Sequence, residues 1–244
     1  MKTNKLESIA LLKSFFLLVC IVCCANISAK NSRAASDSVK VKPFEQLMVV
    51  GDAQTTVTLC QNKEYAITIS GGSRSDVQIE TTNSTLMVYS NNRTSSTPIQ
   101  ITIYSPKWES VFCSLAEKLE TKGDLLSDSL HVDANMIKTI DLTIQANILD
   151  LDATHIEQCT LGGFSAKANI DFAGATNSPA LLQAKNLRTK NMYLDSGVHD
   201  EVYVYTTDTI WLKDGFLSNI TILGSPSHIN NQTKSCNIHL KSQE

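Results

Sequence analysis

The sequence predicts an all-β chain wound as a single β-solenoid of the right-handed β-helix type, with a β-sandwich as the rival arrangement. Three observations lead there. Short runs alternate apolar and polar residues, the period of a strand. Helical periodicity is almost absent. From residue 140 the runs return about every ten residues, at Leu142, Leu151, Leu161, Ile170, Leu182, Leu194, Val204, Leu212 and Ile222. A strand with two inward apolar residues cannot hold itself together, since even a hairpin is marginal in water. Coiling the chain solves this: each run pairs with the one a full coil earlier, and inward side chains stack into a column. Two runs per coil make a coil of about twenty residues, within the solenoid range. A sandwich wants tight hairpins, and Asp214-Gly215 is the single Asn-Gly or Asp-Gly pair in this half, which favours the coil.

The N-terminal residues have a different character. Lys2, Lys5 and Lys13 precede the uncharged run SFFLLVCIVCCA and the small-residue stretch NISAKNS, the layout of a secretory signal peptide over residues 1–29. The apolar run falls short of the roughly 20 residues that span a bilayer as a helix, so an uncleaved anchor ranks behind export. Lipoprotein processing at Cys20, Cys23 or Cys24 ranks behind it too. A polar linker is expected over 30–40 and the solenoid over 41–240. With 42% hydrophobic and 18% charged residues, the chain can build a core and is no disordered polyelectrolyte. The net charge of -3, and the lack of a Lys/Arg cluster with interleaved aromatics, exclude a nucleic-acid footprint.

Within the expected domain, TTVTLC, YAITIS, DVQIET, TLMVYS and IQITIY are rich in Val, Ile and Thr and bounded by Gly, Asn, Ser or Pro, so each is predicted as a strand. SVFCSLAEKLETKGD alternates at Val111, Cys113 and Leu115 and is predicted as strand despite a helix-like Ala116–Leu119. In SNITILGSPSHINN, ITIL is expected as the last rung, with Gly224 and Pro226 turning the chain out of the ladder, because proline lacks the N–H that would extend it.

Three stretches, FEQLMVVGDAQTTVTLCQNKEYAITISG, IQITIYSPKWESVF and ITILGSPSHINN, together resemble the autotransporter adhesin head, or GIN, domain family, with coverage of about residues 40–240. The resemblance implies an exported β-helical domain, usually right-handed, with an adhesin-like role. The repeated Ser-Gly-Ser-Gly turns of that family are missing, since the chain has only ten glycines.

Candidate chemistry is sparse. With the leader removed four cysteines remain, Cys60, Cys113, Cys159 and Cys236. Even parity in an exported chain permits disulfides. Alternation turns Cys113, Cys159 and Cys236 inward, where packing is the ordinary role of cysteine, and Cys60 outward. His155 and Cys159 have a helical ligand spacing outside any helix, so no metal or cofactor is expected. Asp141, Asp150, Asp152, Asp171 and Asp195 flank beat residues. They could stack into a calcium ladder, although a solvated polar exterior explains them as well.

The aromatic residues Tyr193, Tyr203 and Trp211 each lie between two apolar residues and are expected to face out as a binding strip, with Tyr193 and Trp211 one coil apart. Cross-strand stiffening is the competing explanation. The resulting expectation is an exported envelope or surface scaffold without catalysis, binding an envelope glycan or protein. Alternatives are a calcium-assisted carbohydrate-active enzyme, with acids converging on Lys185, Arg188 or Lys190, and a structural protein that associates with its own copies.

Overall fold

The computed structural model describes residues 37–72, 74–91, 97–175, 178–197, 200–213, 219–233 and 236–241. The expected leader, most of the linker, and Asp214-Gly215 lie outside them. Fifteen strands follow in order. The first seven are β1 (Asp37–Lys40), β2 (Gln46–Val50), β3 (Thr55–Gln61), β4 (Ala66–Ser70), β5 (Val77–Thr82), β6 (Thr85–Ser90) and β7 (Ile99–Ser105). Longer strands come next: β8 (Ser110–Lys122), β9 (Leu125–Thr154), β10 (Gln158–Ala173), β11 (Leu181–Ser196) and β12 (Glu201–Leu212). The last are β13 (Asn219–Leu223), β14 (His228–Asn231) and β15 (Asn237–Lys241). No α-helix occurs among the described residues. The chain is a β-solenoid of about six turns.

The long strands run along one face, bend and return along the other, as the register shows. The start of β8 lies beside β2 and its end beside β3. The start of β12 lies beside β13 and its end beside β14. From β8 onward every pairing is parallel. Tyr193 sits beside Trp211 and Asn219 beside Asn237, each 18 residues on. One coil therefore holds two of the ten-residue beats.

The core follows from this register. On one face a single column passes through Val57, Leu119, Ile140, Cys159, Leu182, Val202 and Ile220, each in register with the next and each buried. Burying a Leu or Ile side chain contributes about 1.5–3 kcal/mol, and the column repeats that gain at every rung. Polar groups are confined to bends, where a turning backbone needs partners. Ser105 and Ser165, both fully buried, donate to the carbonyls of Lys107 and Lys167 at 2.6 and 2.8 Å. Thr189 and Thr206 donate likewise to Tyr205 and Lys190.

Opposite those bends, Leu115, Met136 and His155 occupy one corner of successive coils with φ of 56, 55 and 58°. This left-handed conformation reverses the chain sharply and costs a residue with a Cβ roughly 1–2 kcal/mol.

Two expectations need correction. Residues 37–40 are not linker: they form β1, antiparallel to β4, which is itself antiparallel to β7. The β5–β6 hairpin is also antiparallel and turns through Asn83 and Ser84, both at positive φ, the two-residue turn whose twist matches its strands. These pairings finish the N-terminal end, where a coil has no earlier rung to lie on. Nor is ITIL the last rung. Gly224, at φ 91°, turns where any Cβ would meet the Thr206 carbonyl at 2.3 Å, and Pro226 follows. The chain nevertheless returns to the ladder as β14 on β12 and β15 on β13. What stops at Ile222 is burial, since proline interrupts the ladder only at its own position.

Met136→Gly removes the left-handed penalty at a backbone-entropy cost of about 0.5–1 kcal/mol, so its urea midpoint should hold or rise. Met136→Val, β-branched at positive φ, should lose about 1–2 kcal/mol. A glycine variant less stable than the valine variant would contradict this account of the corner.

Candidate functional site

On the face opposite the Val57–Ile220 column, outward side chains of successive coils stand in two adjacent columns. One contains Asp150, Asn169, Tyr193, Trp211 and Asn230. The other contains Asp152, Asp171 and Asp195. Lys213 follows at the next rung, its backbone N–H donating to the Leu194 carbonyl at 2.9 Å. Short side chains on two rungs between larger ones leave a trough of about 290 Å³, floored by Asp150, Asp152, Asn169 and Asp171 and bordered by His131, Tyr193 and Lys213.

The electrostatics of the floor are unfavourable by construction. Strand neighbours lie about 4.8 Å apart, so the three aspartates of one column are held close to like charge. Asp171, in the middle, has its carboxyl held above the usual carboxylate range, first by partial burial, then by Asp195 and Asp152, with Lys213 opposing. Asp150 is relieved by the Asn169 amide, which donates to it at 3.0 Å.

Tyr193 and Trp211 meet as expected from their spacing, but not as an open platform. Their rings stack on each other, centroids 4.2 Å apart and planes within 4°. Lys167, from the preceding coil, places its Nζ 5.0 Å from the Tyr193 centroid. Both flat faces of Tyr193 are therefore occupied and its edge borders the trough. Such a stack contributes about 0.5–1.5 kcal/mol beyond burial. Tyr203 is elsewhere: it lies between Gln183 and Thr221 on the other face. The three-residue strip thus resolves into a pair and a separate residue.

The remaining candidates disperse. Asp141 lies on the Tyr203 face beside Glu120 and Thr160, 4.0 Å from Lys118. Arg188 is also on that face, paired with Phe164 and Tyr205, and Lys185 precedes it on the same strand. His155 turns a corner while Cys159 is buried in the core, so they are not a ligand pair. No metal-holding group of three or more His, Cys, Asp or Glu exists among the described residues. All four cysteines are free thiols. Cys113 stands beside Ala134 and Cys159 beside Ile140 and Leu182, so neither faces another cysteine and the permitted bridges are not formed. Burial pushes the Cys113 thiol up to about 12 and the Cys159 thiol further, with Asp141 adding to the latter.

A second hollow, of about 560 Å³, lies at the left-handed corner beside Leu115, Met136 and His155. Its charged residues include Glu117 and Lys138, which neutralise each other at 3.1 Å. Asp52 and Glu157 line it as well, among mostly apolar neighbours. Sequence reasoning found the acids and the aromatic pair but missed Asn169, His131, Lys167 and Lys213. The coil offset, once known, would have aligned Asn169 with Asp150 and Tyr193.

The sequence profile of one domain family, described as "Putative auto-transporter adhesin, head GIN domain", covers residues 43–226. The chain belongs to this family. Solved structures share the GIN fold at low identity. A putative adhesin from Bacteroides fragilis is 17% identical, with a TM-score of 0.70 over 87% of this chain and 98% of that one. A putative adhesin from Parabacteroides distasonis is 12% identical, with a TM-score of 0.57 over 86% and 98%. A protein from the same species described as a putative lipid binding protein is 12% identical, with a TM-score of 0.55 over 86% and 98%. No curated protein matches the chain.

Two measurements check this geometry. In the native GIN domain a thiol reagent should label Cys60 first, Cys236 more slowly because burial raises its thiol pKa, and Cys113 and Cys159 only on unfolding. Asp171→Asn should raise the melting temperature at neutral pH. The raised pKa means the folded state binds the proton more tightly, so stability falls as pH rises from the ordinary carboxylate value through the raised one. The gain of the variant should therefore vanish in acid, below both values. A variant that melts lower at pH 7 would contradict the strained ladder.

Proposed function

We propose that this GIN domain is an exported, surface-located binding protein of adhesin type, without a catalytic role, and that the trough takes a glycan of neutral or amino sugars. The single observation that carries this reading is the acceptor-rich floor of Asp150, Asp152, Asn169 and Asp171 beside the Tyr193 edge. Carboxylates only accept hydrogen bonds when ionised, and sugar hydroxyls supply donors in rows. Bonds to charged acceptors contribute about 1.5–3 kcal/mol each. Donors from a ligand, or an ammonium on an amino sugar, would also relieve the repulsion within the Asp152–Asp171–Asp195 column. A uronate would add to it.

Sites kept at a cost in stability are characteristic of binding surfaces, and solvation alone gives no reason to align three acids on successive rungs. The family description as an adhesin head fits a surface binding role. Export rests on the layout of residues 1–29. The rival reading, a calcium-assisted enzyme acting on carbohydrate, asks for Lys185, Arg188 or Lys190 among the acids. None of the three lines the trough, and Arg188 pairs with Phe164 beside the bend at Ser165 and Thr189.

Isothermal titration with a chitooligosaccharide and with an oligogalacturonate separates these readings. The amino-sugar oligomer should bind and the uronate oligomer should not. Asp150→Ala should weaken binding about tenfold or more, and Trp211→Ala should weaken it less, because its ring supports Tyr193 rather than the ligand. Equal binding of the uronate, or binding unchanged by Asp150→Ala, would overturn the assignment.

A further inference from the structure

The two ends of the solenoid are built differently. At the N-terminal end Ile67, Ile69 and Val77, carried by the antiparallel additions β4 and β5, are themselves buried. Phe44, Tyr65 and Trp108 pack edge to face there, with centroids 5.2 and 6.2 Å apart. At the other end the core column runs on without cover. Ile238 lies in register with Ile220, and Leu240 with Ile222, yet Leu240 is 61% exposed. On the opposite face Ile229 lies in register with Ile210 and is 37% exposed. Among the described residues β15 pairs with β13 alone, so one edge of its backbone is unpaired. An exposed edge strand is ordinarily blunted by charge, proline or a bulge. β15, with the sequence NIHLK, carries only Lys241 against this.

We propose that this end is an interface between two copies of the chain, in which β15 pairs antiparallel with its counterpart about a two-fold axis at His239. Three features select a second copy over another partner. An antiparallel pair centred on His239 sets Ile238 opposite Leu240 of the other copy, and Leu240 opposite its Ile238. Both pairs point inward, so each core column continues into the next molecule. The same register sets Lys241 opposite Asn237, so no like charges face each other, an arrangement that would otherwise oppose pairing. A two-fold contact is also closed, consuming the β15 edge on both copies, so this contact does not itself propagate. Among the described residues the capped N-terminal end offers no equivalent exposed apolar column for a head-to-tail contact. The trough lies on a side face, so pairing at this end leaves it accessible.

Sedimentation equilibrium of the purified protein, together with directed cross-linking, tests the proposal. The protein should form a dimer in a concentration-dependent way. Leu240→Lys, at a position already exposed, should raise the dimer dissociation constant at least about tenfold while leaving the thermal melt unchanged at concentrations low enough for both proteins to be monomeric. In a Cys60→Ser, Cys236→Ser background, His239→Cys should form an intermolecular disulfide on mild oxidation, because residues directly opposite bring their Cβ atoms to about 4.5–5.5 Å. Thr221→Cys, one rung inward on the same column, should not, since two such residues would stand three strand spacings apart, beyond the span of a disulfide. A protein monomeric at every concentration overturns the proposal. So does a dimer that survives Leu240→Lys, or one that His239→Cys does not cross-link.

Discussion

Everything in this chain depends on the parallel backbone ladder between one coil and the next. A rung has no stability of its own, because its few inward side chains are buried only when the rungs before and after cover them. The column from Val57 to Ile220 shows the condition met: seven residues in register, every one apolar and buried. The condition also dictates where polarity is allowed. Buried hydroxyls occur at bends, where Ser105, Ser165, Thr189 and Thr206 donate to backbone carbonyls.

The same ladder builds the trough. Outward side chains at equivalent positions are forced into columns at strand spacing whatever their chemistry. Like carboxylates on successive rungs must therefore repel, and flat rings on successive rungs must stack. Asp171 shows the first consequence in its raised pKa, and Tyr193 with Trp211 the second. The ring pair acts as a wall that is stiff because both faces of Tyr193 are filled. The acids act as a floor whose mutual repulsion is offset only in part, by Asn169 at Asp150 and by Lys213 near Asp171. A rigid wall beside three aligned acids is what distinguishes this face from the Tyr203 side, where Asp141 stands near Lys118.

Much of the coil was legible because its signal is periodic. The triplets from IDL to ITI announce both strand and spacing, and the two-beat coil correctly placed Trp211 beside Tyr193. The N-terminal additions were not legible. β4 and β5 carry the same Val, Ile and Thr alternation as the parallel rungs, and alternation says nothing about strand direction; β1, DSVK, has a single Val and reads as linker. Closing the ladder at Pro226 failed for a related reason, since a proline excludes one hydrogen bond and not the return of the chain two residues later. Within the site, Asn169 and Lys213 were invisible because a column is a property of register. Register depends on loop lengths between strands, which vary from coil to coil.

Seen along its axis, the molecule is a row of nearest-neighbour bonds with one guarded end and one bare end. Opening has a direction in such an object. The outermost amides, on β14 and β15, have the fewest neighbours to release, and each rung that parts exposes the next, while the Phe44–Tyr65–Trp108 cluster holds the other terminus. In the monomer, amide protons should therefore exchange along a gradient from Lys241 inward, with β8 and β9 the slowest region. The trough, resting on β9, β10 and β11, lies toward the slow part of that gradient, so its geometry is insulated from fraying at the bare end.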